Sequence, residues 1–155
     1  MHPVNIARTL TYLGTLPFWY GALFAFDLAP LSQQITINFS EVLIGYAAVI
    51  LSFIAGIHWG VALSYLTAGH VAPKKSYETI ALFICSNVIA LWAWAMLLWT
   101  PTSVAFFGLA LAFVCLIFVD WKWANFSNSQ PWFWKLRWHA SSVAILSMLL
   151  NAFMS

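Results

Sequence analysis

Charged side chains are nearly missing from this sequence: six Lys or Arg and four Asp or Glu among 155 residues, or 6%. A soluble domain carries roughly 25%, so the shortage excludes a soluble fold of this size, whose surface so few charges would not cover. The formal net charge of +2, with no basic cluster beyond two adjacent residues, excludes a nucleic-acid binder. Cysteine is also scarce. Cys85 and Cys115 both lie inside apolar runs and read as small packing residues, not as a disulfide. Neither Gly-rich phosphate loop occurs, nor an HExxH pair, and the four acidic residues are too scattered for a paired-carboxylate site. No catalytic residue, no metal site and no required cofactor are therefore expected.

What the chain has in excess is apolar and aromatic surface, 63% and 18% of its residues. The Trp residues tend to fall where apolar runs end, as in the aromatic belts at headgroup level. The first apolar stretch holds Tyr12, Pro17, Trp19 and Tyr20 and lacks a small-residue cleavage site, so it is expected to remain as a span. Without an Arg- and Ser-rich amphipathic presequence, a bacterial inner (plasma) membrane is favoured, the mitochondrial inner membrane being the alternative.

A hydrocarbon core about 30 Å thick needs about 20 apolar residues per helix, and five segments qualify: 7–26, 41–66, 77–99, 102–119 and 135–153. Between them stand turn signals at 27–40 with Pro30, 69–76 with Pro73, 100–102 around Pro101, and 121–134 with Asn125, Asn128 and Pro131. Nothing alternates in the rhythm of a barrel strand, and unpaired backbone is not tolerated in lipid, so the fold class expected is an all-α bundle of five transmembrane helices forming a single domain. Arg8, Lys74, Lys75, Lys122, Lys135 and Arg137 all fall on one side of such a bundle. The opposite loops hold only Asp27 and Glu41. The positive-inside rule then places the N-terminus in the cytoplasm and the C-terminus outside.

Within the second span, Ala48, Ser52, Gly56, Gly60 and Ser64 recur every four residues. This ridge of small side chains suits close helix contact, with packing inside the chain favoured over contact with another subunit. His58 projects roughly opposite the ridge, on a stripe with Ala47, Leu51, Ile54, Ala62 and Tyr65, which gives the span neighbours on two sides and a central place in the bundle. An ionisable group inside a span must be neutral, paired or near water. For His58 the readings are a proton relay, a haem ligand, a hydrogen bond to a quinone-like headgroup, or a structural bond to a neighbouring helix. His139 is the other imidazole available for haem, and Tyr65 a companion group for redox chemistry.

Asp120 closes the fourth span and Arg137 opens the fifth, so an interhelical ion pair is expected there, either as a structural clamp or, with Lys122 and Lys135, as an anion or lipid-headgroup site. Asn87, beside Cys85 and Ser86, should seek a partner on a facing helix. Glu78 reads as an interfacial residue matched to a helix dipole, and Pro17 should kink the first helix and free a backbone carbonyl. Residues 121–138, with Trp123, Phe126, Trp132, Phe133 and Trp134, read as an interfacial loop.

The core Gly56-Ile57-His58-Trp59-Gly60 inside a span opening Gly45-Tyr46-Ala47-Ala48, followed by Asp120 and by the turn Pro131-Trp132-Phe133-Trp134-Lys135-Leu136-Arg137, resembles the domain-of-unknown-function 3429 family. That family includes proteins similar to transmembrane protein 69. The resemblance runs over nearly the whole chain. It implies a five-helix protein of bacterial membranes and mitochondria, and draws attention to His58, Trp59, Asp120 and Arg137 without giving any of them a role. The function expected first is an accessory or assembly subunit of a larger membrane complex, plausibly respiratory, whose partners are the lipid bilayer and other membrane subunits or further copies of itself. Two alternatives stand beside it: a redox, quinone-, haem- or lipid-binding protein centred on His58, and an oligomeric proton or small-solute transporter with Pro17, His58 and Asn87 along its path.

Overall fold

A computed structural model describes residues 2–29, 38–67, 73–99 and 101–154. The turn signals at Pro30, at Gly69 and at Thr100 lie outside the described residues. The rest is helical: α1 Pro3–Ala25, α2 Phe39–Thr67, α3 Pro73–Trp99, α4 Thr102–Lys122, the four-residue α5 Phe126–Ser129, and α6 Pro131–Met154. Proline begins α1, α3 and α6, where its missing N–H costs nothing because the first-turn amides have no intrahelical partner. Phe39–Thr67, Ser76–Leu98 and Thr102–Lys122 are long and apolar enough to cross a membrane. At 23 and 24 residues α1 and α6 have the length, but Arg8 and three threonines in the one, and Lys135, Arg137, His139 and several serines in the other, make them more polar.

The stretch expected as an interfacial loop at 121–138 is instead mostly helical. α4 continues through Lys122, and Asn125 adopts a left-handed backbone (φ 54°) that an asparagine tolerates. The chain then makes the single turn of α5 and enters α6 at Pro131. This compact corner returns α6 along α4. The aromatic residues cover it: Phe126 packs edge-on against Phe133, and Trp134 against Trp138.

α4 holds the centre, touching α2, α3, α5 and α6. This displaces the expectation that the second span is the central one; α2 packs chiefly on α3 and α4, and only sparsely on α1. The reason lies in side-chain size and pattern. Phe106, Leu109, Phe113, Leu116 and Asp120 are buried along one face of α4, and Ala105, Ala110 and Ala112 beside them are buried too, letting neighbours close in on more than one side. Large apolar residues such as Leu10, Val49, Phe53, Leu91 and Phe153 point outward instead. An outer surface of this kind suits lipid.

Lipid supplies no hydrophobic drive between helices, so association rests on close packing and interhelical hydrogen bonds. The Tyr46 hydroxyl donates to the Gly14 carbonyl (2.7 Å), Ser86 to Ala55 (2.7 Å), the Trp92 indole to Gly108 (3.0 Å) and the Asn151 amide to Gly21 (2.9 Å). They join α2 to α1, α3 to α2, α3 to α4, and α6 to α1. The Gly14 carbonyl neighbours that of Leu13, the one Pro17 leaves without its helical donor.

The glycines that permit close approach are not those of the second-span ridge. A Cβ at Gly21 would run into the Leu43 side chain and lie 2.9 Å from the Ser147 hydroxyl, whereas at Gly56 and Gly60 it would meet nothing within 4 Å among the described residues. Ala48 is buried, but Ser52, Gly56, Gly60 and Ser64 are exposed, so beyond Ala48 the ridge does not serve packing among the described residues. Gly21→Val should therefore destabilise the protein by about 1–3 kcal/mol through overpacking, while Gly56→Ala leaves unfolding unchanged or slightly improved. Unfolding in detergent, followed by tryptophan emission, distinguishes the two; equal effects would contradict this packing.

Candidate functional site

On α2 the residues Leu51, Ala55, His58 and Ala62 follow helical spacing and are all essentially buried. The apolar face of α4 ends in Asp120, and Arg137 opens a stripe on α6 that continues through Ser141, Ala144 and Met148. These three faces converge. His58 Nε2 lies 2.6 Å from Asp120 Oδ1, and Arg137 Nε donates to Asp120 Oδ2 at 2.8 Å. His58 and Asp120 are fully buried and Arg137 is 5% exposed. Three helices are thus tied at one carboxylate.

The helix dipoles make this pairing more than incidental. Asp120 sits in the last turns of α4, near the negative end, and Arg137 early in α6, near the positive end. Each charge is badly placed on its own helix. Side by side, each offsets the other's misplacement.

His58 Nδ1 is buried with no hydrogen-bond partner among the described residues, as are Arg137 Nη2 and the Ser147 hydroxyl. Arg137 binds Asp120 through Nε alone.

Arg137 also lines an apolar groove of about 350 Å³. The groove fills the gap between α1 and α2, is backed by α6, and is closed by Phe113 of α4. From Ala7 to Phe18 on α1 it extends over eleven residues of helix, about 16 Å of rise. Thr11 and Thr15 face it, but their hydroxyls donate to the carbonyls of Ala7 and Tyr12 on their own helix. Arg137 and Ser141 are the other polar residues of its lining.

The expected Asp120–Arg137 contact is present, and His58 joins it, which spacing alone did not indicate. The other candidates stay outside the cluster. Tyr65 is half-buried two turns further along α2, and His139 is exposed, two residues past Arg137 and so on a different face of α6. Asn87 does not reach a facing helix: it is exposed, and its amide donates to the Phe83 carbonyl one turn back. Glu78 and Lys122 lie together at a shallow surface hollow with Tyr77 and Trp123. Sequence reading missed the polar stripe of α6, in which Arg137, Ser141, Ala144, Ser147 and Asn151 recur at helical spacing; that periodicity was its available signal.

A family model described as "Protein of unknown function (DUF3429)" matches residues 3–153. The chain belongs to that family. No curated protein and no solved structure matches it. For this DUF3429 protein the match takes in all six helices but the last residue of α6, and so includes His58, Asp120 and Arg137.

Removing one member of a buried charge pair leaves the other uncompensated, at a cost of about 3–5 kcal/mol. Asp120→Leu should therefore be the most damaging single change at the triad, and His58→Phe milder, by about 1–3 kcal/mol for a lost donor. The double variant Asp120→Leu/Arg137→Met should regain much of the loss, because neither charge is stranded. Unfolding of the wild type, Asp120→Leu, Arg137→Met, His58→Phe and the double variant in one detergent tests this order; a double variant as unstable as the sum of Asp120→Leu and Arg137→Met would show that the pair is not coupled.

Proposed function

We propose that this protein is a five-span bundle, N-terminus in the cytoplasm and C-terminus outside, acting as a non-enzymatic accessory or assembly subunit of a larger complex in the bacterial inner membrane. The observation that carries the subunit role is the outward face of α2. Ser52, Gly56, Gly60 and Ser64 form an exposed strip on which a Cβ at either glycine would meet nothing within 4 Å among the described residues. A transmembrane helix of a partner subunit could approach such a strip backbone to backbone, where packing is most favourable in lipid.

Five spans are supported by the lengths of α1 and α6 and by their place in the bundle, α6 lying along both α1 and α4. Twenty-three residues of helix extend about 34 Å, enough for the hydrocarbon core. The basic residues support the orientation, since all six belong to segments on one side of a five-span path. In this reading the His58–Asp120–Arg137 triad is the lock that holds α2, α4 and α6 in register while α2 presents its strip.

Purification in mild detergent should recover the protein together with other membrane subunits. Replacing both glycines, Gly56→Ile with Gly60→Ile, should remove those subunits while leaving the unfolding of the isolated chain close to that of the wild type. A lone monodisperse protein in both preparations would defeat the proposal. Tags at the two termini that reported the same compartment would defeat the five-span path separately.

A further inference from the structure

The seam between α3 and α4 carries a repeat that no single contact reveals. Its fixed point is Trp92, whose indole donates to the Gly108 carbonyl at 3.0 Å. A Cβ at Gly108 would run into the Met96 side chain, so the two helices approach closely there. Further along, Glu78 of α3 and Lys122 of α4 line one surface hollow, which fixes the helices as antiparallel. Seven residues of helix return to within about 20° of the same face. One such step back from Trp92 reaches Cys85 and one forward from Gly108 reaches Cys115; the next steps reach Glu78 and Lys122. The contacts at the two ends of this ladder therefore set the two cysteines across from each other at its middle rung. Cys115 is also near enough to Cys85 to act on it electrostatically.

Both are free thiols, Cys85 half-buried and Cys115 exposed. Helix axes about 8–10 Å apart, with Cα atoms about 2.3 Å from each axis, leave facing Cα atoms about 3–5 Å apart, which overlaps the roughly 4.4–6.8 Å spanned by a disulfide. A facing pair on such a seam can be bridged without moving either helix. The surroundings select the reagent. Within one turn of the two cysteines the exposed side chains include Ile84, Val88, Leu111, Val114 and Phe118, and both cysteines lie well inside segments long and apolar enough to cross a membrane. An oxidant carried among acyl chains reaches this flank, whereas one confined to water does not. Hydrocarbon also disfavours a free thiolate, so the oxidant has to accept the thiol proton in the step that takes the electrons. An organic hydroperoxide does both.

We infer that Cys85 and Cys115 form a modification site at which a lipid hydroperoxide closes a disulfide between α3 and α4. The Cys115 sulfur takes the terminal oxygen of the hydroperoxide as the O–O bond breaks. The thiol proton passes to the remaining oxygen, which leaves as a lipid alcohol, and Cys115 becomes a sulfenic acid. The Cys85 sulfur then forms the S–S bond while the S–O bond breaks, and the hydroxyl leaves with the Cys85 proton as water. Two thiols give up two electrons and one hydroperoxide is reduced by them. The inference goes beyond the subunit role and holds with or without a partner.

The test treats the purified protein, in phosphatidylcholine nanodiscs, with linoleic acid hydroperoxide and counts the remaining thiols by maleimide-polymer gel shift after denaturation. The wild type should lose both thiols together while staying a monomer, and regain both with dithiothreitol. Cys85→Ser should stop at the sulfenic acid, trapped on Cys115 as a dimedone adduct. In Cys115→Ser/Val114→Cys the second thiol keeps its depth but turns about 100° away from the seam, and closure should slow at least about tenfold as the proximity is lost. If that double variant fails to fold, the wild type still decides: thiols left untouched by the hydroperoxide, or linked only between copies, would overturn the assignment. Equal closure in the wild type and the double variant would overturn it as well, as would hydrogen peroxide closing the pair as fast as the lipid hydroperoxide.

Discussion

A carboxylate with no exposure, placed where three helices meet, sets the terms for much of this molecule. Asp120 in the apolar interior of α4 must be compensated, and the two groups that do so come from α2 and α6. Once both are bound, the rotation of each helix about its axis is fixed to within the reach of one side chain. The large buried residues of α4, among them Phe106, Phe113 and Leu116, then face the bundle because they share a face with Asp120. A hydrophobic stripe alone would not select that rotation in lipid, where apolar surface is satisfied in any direction.

The same economy of polar groups runs through the other contacts. Tyr46, Ser86, Trp92 and Asn151 each spend a side-chain donor on the backbone carbonyl of a neighbouring helix. Such bonds depend on close approach, which small residues allow; Gly21 lies tightly against Leu43 and Ser147, and its own carbonyl receives the Asn151 amide. Where α1 and α2 touch only sparsely, the gap persists as the groove. Arg137 belongs to both features, being bonded to Asp120 through Nε and standing among the residues that line that gap.

How much of this was legible in the sequence varied with the range of the information. The helices were plain from length and apolar content, and their observed limits differ little from the segments at 41–66 and 77–99. The corner at 121–134 was harder, because Asn125, Asn128 and Pro131 signal turns equally well when they punctuate a long loop or two helices and a single helical turn. Proximity of Asp120 and Arg137 followed from their positions at facing helix ends. The small-residue ridge of α2 misled: a periodicity of four shows that one face is smooth, and says nothing about what covers it. Asn87 shows the same limit, since an amide in a span can turn back to its own helix as readily as reach across.

Composition and residue order by themselves determined that this chain is helical and suited to lipid, and that its family is DUF3429, since these depend on local length, polarity and motif. Only the tertiary structure decided that His58, 62 residues before Asp120, shares its carboxylate with Arg137, 17 residues after it. The physical reason is that contact across helices depends on how each is turned toward its neighbours. That choice is made jointly by all the buried polar groups, and no single helix records it.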